Sequence, residues 1–175
     1  MTRPYGKLLP LILGLMILLT QCKTQHQSEP IIDDGTKFEY DESSSVNFIK
    51  PNILSDVLEL AKEEGEKLTF VKFYTDWCLP CQLMDETVFV NKTLGEYYNT
   101  NFINYKVNAE QMEGPDLRFI FQVDEFPTFI FMDNNGRIIL KDKGSQSTTN
   151  MMIMAETAIE EYDRIKNQAA NKDGE

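Results

Sequence analysis

The apolar residues of this chain fall into runs whose spacing changes along its length. Leu8 to Leu19 forms an unbroken 12-residue stretch of mostly apolar residues, with Arg3 and Lys7 before it and polar residues from Thr20. A membrane-crossing helix needs about 20 apolar residues, so residues 1–21 read as a secretory signal. From Lys23 to Ser45 apolar positions are scattered among Gln, Ser, Asp, Glu and Lys without a period, which predicts a flexible tether over residues 22–45. Regular patterning occupies residues 46–166. Ile53, Leu54, Val57, Leu58 and Ala61 share one face at helical spacing, and Gly65 ends that helix. Leu68 to Thr75 is β-branched and aromatic and predicts a buried strand. Helical stretches follow over 82–87 and 91–98, then a strand over 102–108 and a short helix from Gly114 with Pro115 in its first turn. Strands at 128–132 and 137–141 flank Asp133-Asn134-Asn135-Gly136, a hairpin signal because Asn-Gly tolerates positive φ. A last helix, 148–165, places Met151, Met152, Met154, Ala155, Ala158, Ile159 and Tyr162 as core filler, and residues 167–175 form a polar, frayed tail.

Trp77-Cys78-Leu79-Pro80-Cys81 sits between the predicted buried strand and the helix after it. At a strand-to-helix junction, unpaired backbone N–H groups and the positive end of the helix dipole favour thiolate over thiol. Cys78 is therefore the candidate nucleophile. Cys81, one turn on, can close a small disulfide ring or resolve a mixed disulfide formed on Cys78. A purely structural disulfide is the competing use, but so short a loop adds little stability. Trp77 reads equally as a flat contact surface over the site or as a core aromatic. Pro80 suits the first helical turn, where its missing N–H costs nothing.

The segment Phe73 to Cys81 is joined by Glu125-Phe126-Pro127-Thr128, in which Pro127 follows Cys81 by 46 residues. Together they resemble the thioredoxin superfamily, whose members pair a W-C-x-x-C motif with a cis-proline facing it. The resemblance covers Val46 to Ile165 and implies an α/β thioredoxin fold, a central mixed sheet with helices on both faces. It also implies thiol-disulfide exchange by Cys78 and Cys81, with a protein substrate held at Trp77, Phe126, Pro127 and Thr128 by backbone pairing beside the proline. A cis bond is affordable there because proline lowers its cost; a trans proline opening an edge strand is the alternative. Thr75-Asp76-Trp77-Cys78 and Met84-Asp85-Glu86-Thr87-Val88-Phe89 look most like thioredoxin-like domains of bacterial envelope proteins that pass electrons to periplasmic disulfides. Strong oxidases of the superfamily carry a histidine between their cysteines. Leu79 and Pro80 supply none, which leans toward reductant or isomerase.

Leu19-Thr20-Gln21-Cys22 resembles the cleavage box of bacterial lipoproteins, although Gln21 stands where a small residue is usual. The resemblance implies lipidation at Cys22, a membrane anchor facing the periplasm and a membrane electron donor; release after signal cleavage is the alternative. Three cysteines then divide into one lipid carrier and one redox pair.

One position departs from the family. Thioredoxins usually place a buried acid six residues before the first cysteine, and here that position is Lys72. Lys106 matches the family's lysine on the adjoining strand, so two lysines are expected beneath the site. Two buried ammonium groups are costly, so one is expected to lose its proton, to snorkel outward or to pair with a carboxylate. Lys72, Lys106 and Pro80 are accordingly assigned to tuning the Cys78 thiolate.

The net charge of −11 becomes −13 once Arg3 and Lys7 are removed with the signal. That argues against nucleic acid as a partner and against adsorption to anionic lipid, leaving membrane association to the lipid chain. His26 is the one histidine and lies in the tether, so no metal site is expected, and no glycine loop suggests a nucleotide cofactor. Two other readings remain: a peptide-binding or chaperone module using the surface of Trp77, Leu79 and Phe126, and a cytochrome-maturation partner with the same chemistry.

Overall fold

The computed structural model describes residues 38–50 and 52–172, so the expected signal, Cys22 and His26 lie outside the described residues. Five strands form one sheet in the order β1-β3-β2-β4-β5. β2 (Leu68–Tyr74) runs parallel to β3 (Phe102–Asn108) and antiparallel to β4 (Thr128–Met132), and β4 pairs antiparallel with β5 (Ile138–Lys143). β1 (Phe48–Ile49) extends the other edge, parallel to β3. Mixed strands with helices on both faces make this an α/β thioredoxin fold.

Strand alternation divides the core in two. Val71, Phe73, Ile130 and Met132 pack with α1 (Leu54–Glu63) and α4 (Gly114–Ile120). On the other face Phe70, Phe129 and Phe131 pack with α2 (Leu79–Thr87), α3 (Lys92–Asn101) and α5 (Thr148–Lys172). Phe70 is the hub of that second layer. Its ring centroid lies 4.9 Å from those of both Tyr98 and Phe131, and 6.1 Å from that of Phe129. Met151 and Met154 fill the same layer, as the helical spacing predicts.

Several boundaries differ from the sequence expectation: β1 is an added edge strand, α2 begins at Leu79 rather than 82, and α3 runs to Asn101 rather than 98. Residues 38–45, placed in the tether, form a packed strap. Phe38 is buried, Tyr40 bridges Ile49, the Ser45 N–H donates to the Phe89 carbonyl at 2.8 Å, and the Ser45 carbonyl accepts from Asn99 Nδ2 at 3.0 Å. Gly95 permits the close approach: a Cβ there would stand 2.3 Å from the Ser45 carbonyl oxygen. The last helix continues to Lys172, beyond the expected end near Ile165. β5 starts one residue later than expected and runs on to Lys143, because Asp133 Oδ1 accepts the N–H groups of Asn135 and Arg137 and holds both in the turn.

Candidate active site

Thr75 ends the run from β2, and its carbonyl accepts the Cys78 N–H at 3.1 Å, folding the chain back into α2. Cys78 is the N-cap of α2. Its carbonyl accepts from the N–H groups of Cys81 (3.0 Å) and Gln82 (3.1 Å), and its Sγ accepts from the Cys81 N–H at 3.2 Å. A sulfur bonded by a backbone N–H at a helix start is placed to carry negative charge once the disulfide opens. Cys78 and Cys81 are joined as a disulfide, with Cα atoms 5.3 Å apart.

Cys78 lines a groove with Trp77, Leu79, Pro80, Arg118, Asp124, Glu125 and Phe126. Trp77 and Leu79 are exposed, at 67% and 62%. Exposure decides between the two uses of Trp77: it is a surface ring. It meets Phe126 edge-on at 6.0 Å, and its indole N–H donates to Glu110 Oε1 at 3.0 Å. Arg118 stacks on Phe126 at 5.3 Å while its Nε–H donates to the Val123 carbonyl. Asp124 and Glu125 on the rim share Lys143, each at 3.2 Å.

The Phe126-Pro127 peptide is cis. Pro127 is buried, and its carbonyl accepts the Gly144 N–H at 2.8 Å. Thr128 is also fully buried, and its hydroxyl donates to the Glu125 carbonyl at 2.6 Å. Of the four residues assigned to substrate contact, Trp77 and Phe126 thus present side chains to the groove, whereas Pro127 and Thr128 shape the loop behind it.

Beneath α2 lies a charge cluster. Lys72 is completely buried on β2 and donates to Asp85 Oδ1, while Lys106 on β3 donates to Asp85 Oδ2 at 3.0 Å and reaches Asp41 Oδ2 of the strap at 3.5 Å. Of the three outcomes open to the two lysines, pairing with a carboxylate is the one seen for both. Their acid–base behaviour still diverges. Burial pushes Lys72 down from 10.5 to about 8, against the pull of Asp85 and with added repulsion from Lys106. Lys106 also feels burial, but Asp85 and Asp41 outweigh it and raise its pKa. Lys106 has two acids and partial access to water, whereas Lys72 has one acid and none. Their remaining faces are aromatic: Lys72 lies 4.8 Å from the Phe89 centroid and Lys106 lies 4.9 Å from that of Tyr74.

Sequence reasoning missed Asp85, Glu110 and Arg118. Asp85 carried a usable signal, since it stands four residues after Cys81 and must share its helix face. Arg118 and Glu110 come from a separate helix and loop, and nothing local marks them. Among the described residues no group of three or more His, Cys, Asp or Glu is arranged to hold a metal ion.

The thioredoxin-like domain family matches residues 54–159, more than half of the chain. The chain belongs to that family. Thioredoxin-1 of Drosophila yakuba is 31% identical over 100 residues, covering 57% of this chain and 89% of that one. Among solved structures, a candidate disulphide-isomerase from Bacteroides thetaiotaomicron has a TM-score of 0.60 at 26% identity, covering 69% of this chain and 98% of that one. A DsbH oxidoreductase is similar in fold alone, with a TM-score of 0.56 at 16% identity over 66% of this chain and 88% of that one. With its cysteine pair joined at the start of α2, this thioredoxin-like chain is a thiol-disulfide oxidoreductase.

Proposed function

We propose that this thioredoxin-like protein exchanges disulfides of protein substrates in the bacterial cell envelope, as reductant or isomerase. Cys78 attacks the substrate disulfide, Cys81 resolves the mixed disulfide, and an extended substrate segment lies across Trp77 and Phe126. The observation that carries this reading is the placement of Cys78: it caps α2 and at the same time lines an open groove between Trp77, Leu79 and Phe126, with Arg118, Asp124 and Glu125 on its rim. Because the Pro127 carbonyl is bonded to Gly144, strand-like pairing with the substrate falls to the Phe126 backbone. Leu79 and Pro80 offer the thiolate no charge or strong donor, which favours the reducing or isomerising direction over primary oxidation. The signal at 1–21, lipidation of Cys22, attachment facing the periplasm and supply of electrons by a membrane donor complete the proposal. They are supported by the apolar run at 8–19 and by the Leu19-Thr20-Gln21-Cys22 box.

The exposure of Trp77 and Leu79 equally suits a peptide-holding module in which redox turnover is incidental. Insulin reduction by the dithiol form, compared with Cys78→Ser, separates the two. The redox reading expects precipitation of insulin chains by the wild type alone, and equal activity in both would overturn it. Radiolabelled palmitate incorporated in a bacterial host and lost in Cys22→Ala tests the anchor.

A further inference from the structure

The groove beside Cys78 carries charge as well as rings, and most of that charge is already matched. Asp124 and Glu125 on the rim share Lys143. Asp124, held below the usual carboxylate range chiefly by its hydrogen bond to Lys143, also feels Lys141, whose ammonium donates to the Phe121 and Gln122 carbonyls at 2.8 Å. Two acids and two lysines offset one another there. Arg118 is different. Its Nε–H is committed to the Val123 carbonyl at 3.1 Å, and its guanidinium carbon lies 5.3 Å from the Phe126 ring centroid. Among the described residues no carboxylate pairs with it, and its terminal N–H groups have no acceptor although the residue lies exposed on the groove. A guanidinium fixed by its inner nitrogen and by a ring beneath it keeps its outer fork free, and that fork matches a planar carboxylate.

Phe126 also joins Arg118 to Trp77, whose indole N–H donates to Glu110. The surface therefore runs from a carboxylate, across two rings, to an unmatched guanidinium. We propose that Arg118 selects substrates: the polypeptide segment exchanged at Cys78 carries an aspartate or glutamate close to its half-cystine, and Arg118 takes that carboxylate. This rests on the reading of Cys78 as the attacking sulfur and names the class of segment it attacks. Recognition must act by contact, because the chain carries a net charge of −11 and its long-range field repels acidic partners. One carboxylate in register, rather than the net charge of the substrate, sets the preference.

Short peptides joined as disulfide homodimers and labelled with a self-quenching dye report their reduction as a rise in fluorescence. The reduced full chain carrying Cys22→Ser is given a set in which Glu or Gln stands in turn at each position flanking the half-cystine. At one position the Glu peptide should react about threefold or more faster than its Gln counterpart, the scale of an exposed charged pair. Arg118→Gln should bring that ratio to about one, and Arg118→Glu should invert it. Because the ratio is taken within each variant, a loss of stability or a general slowing cancels; an arginine that only supports Phe126 would leave the ratio as it is in the wild type. A wild-type ratio near one at every position, an equal preference at all positions, or a ratio that survives Arg118→Gln would each overturn the inference. Failure to reduce any peptide, or equal reduction by Cys78→Ser, would instead overturn the exchange at Cys78 on which the inference rests.

Discussion

Lys72, fully buried in the central strand, donates to the carboxylate of Asp85 thirteen residues further on, at the foot of the helix that begins with the cysteine pair. The pairing explains how a lysine is tolerated at the centre of the sheet. Burial of that lysine, against the pull of Asp85, also predicts how stability follows pH. The folded-state value of about 8 lies below the ordinary 10.5, so between those limits the unfolded chain binds more protons than the native one. Stability from this group must therefore rise as pH climbs from about 8 to 10.5. Urea midpoints of wild type and Lys72→Met, compared across that window, should move in the wild type's favour. A constant difference would contradict the assignment.

Removing the other partner has the opposite sign at neutral pH. Asp85→Asn leaves a buried ammonium without its acceptor, a loss of up to about 3 kcal/mol for a broken buried pair. The loss should shrink above the folded-state value of Lys72, as the amine becomes neutral. Chemical denaturation at pH 7 and pH 10 checks both halves.

Trp77 is 67% exposed and its ring meets Phe126 edge-on, and in the proposed function it contacts substrate rather than supporting the core. Trp77→Ala should shift unfolding free energy by less than about 1 kcal/mol, as surface changes do. Turnover of insulin should fall about fivefold or more, the equivalent of roughly 1 kcal/mol of lost aromatic contact. Equal losses of stability and turnover would make Trp77 structural.

Gly95 tests the packed strap. In an exposed helix interior, Gly→Ala stabilises by about 1 kcal/mol. Here the new Cβ would stand 2.3 Å from the Ser45 carbonyl oxygen, a contact that forces the strap away. Gly95→Ala should therefore destabilise, by about 1–3 kcal/mol, and expose Phe38 to protease. A stabilised variant would mean that the strap does not pack on α3.

Most of the fold was legible because its signals are local. The β-branched and aromatic runs of β2 and β4, the Asn-Gly turn and the apolar faces of α1 and α5 each lie within one stretch of chain. β3 and β4 appear at the residues that the pattern gave. β1 escaped because two residues, Phe48 and Ile49, show no period; they become a strand only when β3 offers its edge. The strap escaped for a related reason. Phe38 and Tyr40 are isolated aromatics in polar sequence, and their burial depends on core surface supplied from elsewhere in the chain. The extension of α5 past Ile165 has no apolar stripe, although Gln168, Ala169 and Ala170 are good helix formers that carry it onward. At the site, the cysteine pair, Trp77 and the proline loop were visible as motifs. Asp85 was missed: its spacing from Cys81 marks the shared helix face, but its pairing with Lys72 and Lys106 depends on which helix turn settles over which strand residue.

The proposed exchange depends on Cys78 as the attacking sulfur, bonded by the Cys81 N–H at the start of α2. Intact mass of reduced Cys81→Ser after exposure to a peptide disulfide tests this most directly. With Cys22 replaced by Ser throughout, a stable adduct of one peptide per chain, mapped to Cys78 and absent from Cys78→Ser/Cys81→Ser, is the predicted result. An adduct that forms equally in Cys78→Ser/Cys81→Ser, or none in Cys81→Ser, would contradict it.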